Sequence, residues 1–113
     1  MPTDDSDSPA RIRALNDAFR RSFVGGAVVL TAGVAAIPAV QRRSLLRMVR
    51  DFEAFDEDND PHGEHNLGVV ELGDIRCFWK IDYHDRDMET LSPDPADPSV
   101  TTRVLTVMLV EEY

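Results

Sequence analysis

Residues 56–66, DEDNDPHGEHN, hold the densest set of side chains that could do chemistry. His62, Glu64 and His65 place two imidazoles and a carboxylate within four residues, and Asp60 stands just before them. Such a mixed nitrogen and oxygen donor set suits a divalent transition metal, whose bound water could serve in hydrolysis. The spacing is not the helical HExxH pattern, because Pro61 and Gly63 keep the segment out of a helix. Asp56, Asp58 and Asp60 imitate the opening of an EF-hand loop. The sixth position of that loop is Pro61 where glycine must turn, and the twelfth is Leu67 where a bidentate Glu must bind. The plainer reading is an ordered turn in which the imidazoles bond to backbone and the acids stay solvated. That reading is preferred, with no cofactor, and the metal site of His62, Glu64, His65 and Asp60 is the alternative.

Other reactive arrangements are missing from the sequence. Cys77 alternates with Trp79 and Ile81 on the apolar face of a strand, where a thiol behaves as a small hydrophobe. No serine sits in a nucleophile elbow, and neither GxGxxG nor GxxxxGK[ST] occurs. No catalytic residue is assigned, and the pattern favours a binding protein over an enzyme.

The second chemical feature is a row of cations. Arg43, Arg47 and Arg50 follow the i, i+4, i+7 spacing of one helical face. Only Asp51 is placed to answer Arg47 within the same helix, so the row is open to phosphate or to an acidic partner. Its counterpart is the acidic run Asp56, Glu57 and Asp58. These six residues are the expected partner contacts.

Several elements must carry these features. Pro9 after Ser8 opens a helix with Ile12, Leu15, Phe19 and Phe23 inward, ending near Gly25 and Gly26. Asp17 on its outer face is expected to pair with Arg13 and Arg21. Residues 27–31, AVVLT, read as a buried strand, and a second helix starts near Pro38 with Leu45, Val49 and Phe52 inward. Strands at 67–72 and 75–84 flank the tight turn Gly73-Asp74, with Ile75, Cys77, Trp79, Ile81 and Tyr83 inward. Pro93, Pro95 and Pro98 make 85–99 an extended connection. Residues 100–112 read as a long central strand, apolar on both faces and covered on both, in part by another subunit. The fold class is α+β: two helices on a mainly antiparallel sheet of about four strands, in the order α-β-α-β-β-β.

The 113 residues suffice for one core, so residues 9–113 are read as a single domain and residues 1–8 as a disordered acidic tail. One cysteine argues against a secreted disulfide scaffold, and the acidic start lacks the basic region of a signal peptide. The apolar stretch 23–40 is broken by Gly25, Gly26, Gly33 and Pro38, so no membrane span is expected and the location is taken as cytoplasmic.

The net charge of −9 disfavours coating nucleic acid, and direct nucleic-acid binding ranks below a protein partner. That charge is divided. Residues 1–50 hold eight Arg and four Asp, while residues 51–113 hold four basic and seventeen acidic residues. The surface should be bipolar, and either its halves neutralise each other or one of them binds a partner.

Four ordered segments, NDPHGEH (59–65), FWKIDY (78–83), SPDPADP (92–98) and RVLTVMLVEEY (103–113), resemble a family of small bacterial proteins catalogued as a domain of unknown function. The resemblance runs from about Ile12, through LNDAFR and VLTAGV, to the last residue. It implies a small intracellular bacterial protein associated with plasmids and other accessory DNA, and it brings no activity, cofactor or catalytic residue. The combined expectation is a non-enzymatic binding or regulatory protein acting through charged surfaces. An anti-CRISPR or anti-restriction inhibitor is its specific form, and homodimerisation is compatible with it.

Overall fold

The computed structural model describes residues 9–113, so the expected tail and the cap Ser8 lie outside the described residues. Helix α1 (Pro9–Ser22) begins with its proline at the first helical position, where no backbone N–H is needed. Ile12, Asn16, Phe19 and Arg20 form its buried stripe. Phe23 leaves the helix with φ 59° and Gly25 follows at φ 104°, so the chain reverses directly into strand β1 (Gly26–Leu30). The bend explains why the helix stops before Phe23.

Between β1 and the second long helix lies one turn of helix, α2 (Ala32–Ala35), which the alanine-rich stretch did not announce. Val34 of this turn is fully buried. Helix α3 (Ala39–Arg50) follows Pro38, buries Leu45 and Val49, and contains four arginines and no acid. Strands β2 (Leu67–Leu72) and β3 (Ile75–His84) form the expected hairpin around Gly73, at φ 60°. Strand β4 (Thr102–Leu109) is shorter than the apolar run that predicts it, because residues Val110–Glu112 turn into a 3-10 helix.

The sheet order is β1-β4-β3-β2, so β4 is central. β3 pairs antiparallel with both β2 and β4, whereas β1 runs parallel to β4. The sheet is therefore mixed, and the element order is α-β-α-α-β-β-β within an α+β fold. Cys77, Trp79 and Ile81 of β3 and Leu105 and Val107 of β4 face the helices and are buried with Phe19, Val34, Leu45 and Val49.

Both faces of β4 were expected to be covered. Among the described residues the helices pack on one face of the sheet, while on the other face Val104 and Met108 of β4 are still buried, at 7% and 9% exposure. Phe19 of α1 abuts Gly26, and Phe52 after α3 abuts Gly68. The proline-rich connection is pinned to the helix face by Arg103, whose Nη2 donates to the Pro95 carbonyl at 2.5 Å. No helix among the described residues is long and apolar enough to cross a membrane.

Candidate functional site

The segment NDPHGEH is fastened to α1 and β3 one residue at a time. Asn16, fully buried on α1, donates through Nδ2 to the Glu64 carbonyl at 2.9 Å and to the Tyr83 hydroxyl at 2.8 Å. Its Oδ1 accepts from Arg103 Nε at 2.7 Å. The Tyr83 hydroxyl donates to Glu64 Oε1 at 2.7 Å. Burial, and then this carboxylate, push the Tyr83 hydroxyl well above the ordinary tyrosine value. Burial lowers the Arg103 guanidinium, which lies 5.2 Å from the Tyr83 ring.

His65 anchors the other end. Its φ of 55° is left-handed, a conformation histidine tolerates better than most residues. The ring stacks on Phe55 with centroids 3.8 Å apart, and Nδ1 meets Asp17 Oδ1 at 2.9 Å. Asp60 Oδ1 accepts the His65 backbone N–H at 3.0 Å, and Asp60 Oδ2 stands 3.5 Å from His65 Nε2. Arg13 Nη1 donates to the Gly63 carbonyl at 3.0 Å.

Asp17 therefore does not pair outward with Arg13 and Arg21. It turns in, taking His65 and the Nη1 of buried Arg20 at 2.9 Å. The physical reason is the company that Arg20 keeps. Its guanidinium lies 5.3 Å from the ring centres of both Phe55 and Trp79, where a buried cation needs a carboxylate. Arg20 Nη2 also holds the Phe52 carbonyl at 3.0 Å.

The proposed metal ligands are thus engaged elsewhere. Glu64 serves Tyr83, Asp60 and His65 serve each other and Asp17, and His62 is exposed. Among the described residues no three His, Cys, Asp or Glu side chains gather as a metal-holding group. Cys77 is fully buried, and burial raises its thiol, so it remains protonated.

The acidic run is laid out differently. Asp56 Oδ1 accepts the backbone N–H groups of Asp58 and Asn59, both at 2.9 Å, which ties a small turn. Asp56, Glu57 and Asp58 are all exposed.

The arginine row splits. Arg50 Nε donates to the Arg21 carbonyl at 3.1 Å and its guanidinium lies 5.5 Å from the Phe23 ring. Arg42 donates to the Ala35 and Ile37 carbonyls, capping α2. Arg21 reaches Glu53 at 3.6 Å. Arg43 and Arg47 have no ion pair or hydrogen-bond acceptor for their guanidiniums among the described residues, and Asp51 does not answer Arg47. These two cations line a shallow depression of about 390 Å³ with Val40, Ser44 and Met48. Val40 is 68% exposed.

Sequence reasoning missed Asn16, Tyr83 and Arg103 as members of one network and Asp17 as the inward partner of Arg20 and His65. The legible signal was a lone asparagine on the apolar stripe between Ile12 and Phe19, where a polar side chain survives only with partners.

Taken together these features define an α+β protein with a one-sided mixed sheet, a buried polar anchor and an open cationic helix face. Residues 30–112 match the family described as "Protein of unknown function (DUF3768)", and the chain belongs to that family. The match begins at the end of β1, so α1 lies outside it. No curated protein and no solved structure matches the chain.

Proposed function

We propose that this is a non-enzymatic binding protein that holds an acidic segment of a partner protein against α3, through Arg43 and Arg47. One observation carries the reading. Of the eight arginines in the first 50 residues, Arg43 and Arg47 are the two whose guanidiniums have no acceptor among the described residues. They lie one helical turn apart, in reach of a pair of carboxylates, and the guanidinium fork suits carboxylates best. Val40 and Met48 add apolar area beside the cations, as at the core of protein interfaces. A chain of net charge −9 with two free cations is poorly equipped to neutralise a run of phosphates, which favours a protein over nucleic acid.

The regulatory form of this reading is an accessory factor of mobile DNA, such as an anti-CRISPR or anti-restriction inhibitor. It would use the opposite charge, presenting exposed Asp56, Glu57 and Asp58 to a nucleic-acid-binding protein. One capture experiment separates the two surfaces. The protein is used to pull partners from bacterial lysate at low and raised salt, beside the doubly substituted R43A/R47A and the triply substituted D56N/E57Q/D58N. The α3 reading expects a salt-sensitive partner that the triple variant retains and the double variant binds at least about tenfold more weakly, a loss of about 1.4 kcal/mol. Because both arginines are exposed and unpartnered, R43A/R47A should unfold within about 0.5 kcal/mol of the parent. A partner retained by R43A/R47A, or no specific partner at either salt, refutes it.

A further inference from the structure

Between the C-terminal half of α1, the bend after it and the start of β4 lies a cavity of about 210 Å³ that the reading above leaves unused. Leu15 and Phe19 of α1 and Val24 of the bend make its apolar walls, and Arg86, Thr101 and Arg103 its polar lining. Phe19, Thr101 and Arg103 are buried at its floor, whereas Val24 and Arg86 are exposed at its mouth.

Arg103 is the anomaly of this lining. It is 4% exposed, yet among the described residues it has no ion pair, whereas buried Arg20 has Asp17. Its Nε goes to Asn16, its Nη2 to the Pro95 carbonyl and its flat face lies 5.2 Å from the Tyr83 ring centre, all neutral partners. Nη1 has no acceptor among the described residues. Glu64, held by the Tyr83 hydroxyl, acts on this guanidinium only from beyond ion-pair distance, and burial works against the charge more strongly. Arg86 also has no ion pair among the described residues, and its bond to the Pro98 carbonyl is long, at 3.4 Å. In a chain with 21 acidic residues against 12 basic ones, two cations on one cavity without a carboxylate leave the place of an anion open.

We infer that this cavity binds a small organic carboxylate, with its head on Arg103 and Arg86 and its short hydrocarbon part against Leu15, Phe19 and Val24. Guanidiniums suit a carboxylate, and the walls select what is attached to it. Inorganic phosphate would lose water against those walls and gain nothing from them. Thr101 gives its hydroxyl hydrogen to the Asp94 carbonyl at 2.8 Å, so the two arginines supply the donors. The negative end of α1 is answered nearby, the Phe19 carbonyl by the Phe23 N–H and the Arg21 carbonyl by Arg50. Size limits the ligand. The cavity is smaller than the roughly 300–1,000 Å³ of sites for drug-sized molecules, so the hydrocarbon part is one short chain or one ring.

Titration of the full chain with sodium hexanoate to about 20 mM, enough to saturate a Kd of about 1 mM, tests this by amide and arginine side-chain NMR. Hexanol and inorganic phosphate are the comparison probes. The expected result is saturable shifts at the amides of Phe19, Val24 and Thr101 and at Nε–Hε of Arg86 and Arg103, with both comparison probes at least about tenfold weaker. Arg103 itself is left in place, because its loss unpairs buried Asn16. R86Q should weaken hexanoate by about tenfold. A18L, at an exposed residue of the lining, should fill the cavity and abolish binding with circular dichroism and melting unchanged. R43A/R47A lies on α3 and should bind hexanoate as the parent does, so failure here and failure of the α3 reading are distinguishable. No saturable shift with hexanoate overturns the proposal. So does hexanol or phosphate binding as tightly as hexanoate, because the ligand class is then wrong, and so does binding that survives both R86Q and A18L, because the contact then lies elsewhere.

Discussion

Asn16 uses both ends of its amide to join three parts of the chain: the Glu64 carbonyl, the Tyr83 hydroxyl and Arg103 Nε. Truncating it strands buried polar groups on all three, each a desolvation cost of about 1–3 kcal/mol when no water replaces the partner. Asn16→Leu should therefore lose about 3 kcal/mol in urea unfolding, and a loss under about 1 kcal/mol would show that the network is not a stabilising unit. Tyr83 gives a pH signature. Its folded-state hydroxyl titrates above the unfolded value of about 10, so the native state holds this proton more tightly. Its contribution is complete below pH of about 10 and is lost as pH rises towards the folded value. Tyr83→Phe should be less stable at neutral pH by about 1–2 kcal/mol and should show a shallower alkaline decline, read by urea unfolding from pH 7 upward. Parallel declines in the two proteins would exclude Tyr83 as the group responsible.

At the scale of elements, the end of the chain closes back on α2. Glu112 Oε1 accepts from Thr31 Oγ1 at 2.6 Å and from Leu109 N–H at 2.8 Å, and Oε2 accepts from Gly33 N–H at 3.0 Å. The Thr31 hydroxyl, followed by the Leu109 amide, holds the Glu112 carboxyl below its ordinary value. A depressed carboxyl stabilises the fold above the unfolded value and ceases to do so as pH falls through the folded one. In Glu112→Gln a single acceptor oxygen replaces two, so amide exchange at Gly33 and Leu109 should quicken at neutral pH, and the parent should approach that rate on acidification. Unchanged exchange at both amides would remove the latch. None of this was legible beforehand, because the apolar run ends at Val110 and nothing local to Glu111 and Glu112 shows that the acceptor demand at α2 turns them aside. The hairpin, by contrast, was legible to the residue, since Gly73-Asp74 and strict alternation in β3 leave one register.

Across the whole molecule, the division of charge resolves into two outcomes rather than one. On α1, Arg13 is met by the Gly63 carbonyl and Arg20 by the Phe52 carbonyl and by Asp17 of the same helix, which His65 of the loop joins. On α3, Arg42 and Arg50 are spent on the Ala35, Ile37 and Arg21 carbonyls, and Arg43 and Arg47 stay open. Neutralisation and display coexist because the loop runs along one helix and not the other.

The sequence by itself determined the classes of element, the inward faces of α3 and β3, the hairpin register and the row of arginines, because each follows from local period and turn chemistry. The parallel placing of β1, the inward turn of Asp17, and the gathering of Asn16, Tyr83 and Arg103 around Glu64 were decided only by tertiary structure. The reason is reach. These features join residues between 19 and 87 positions apart, and no local pattern specifies which distant partner will satisfy a buried polar group.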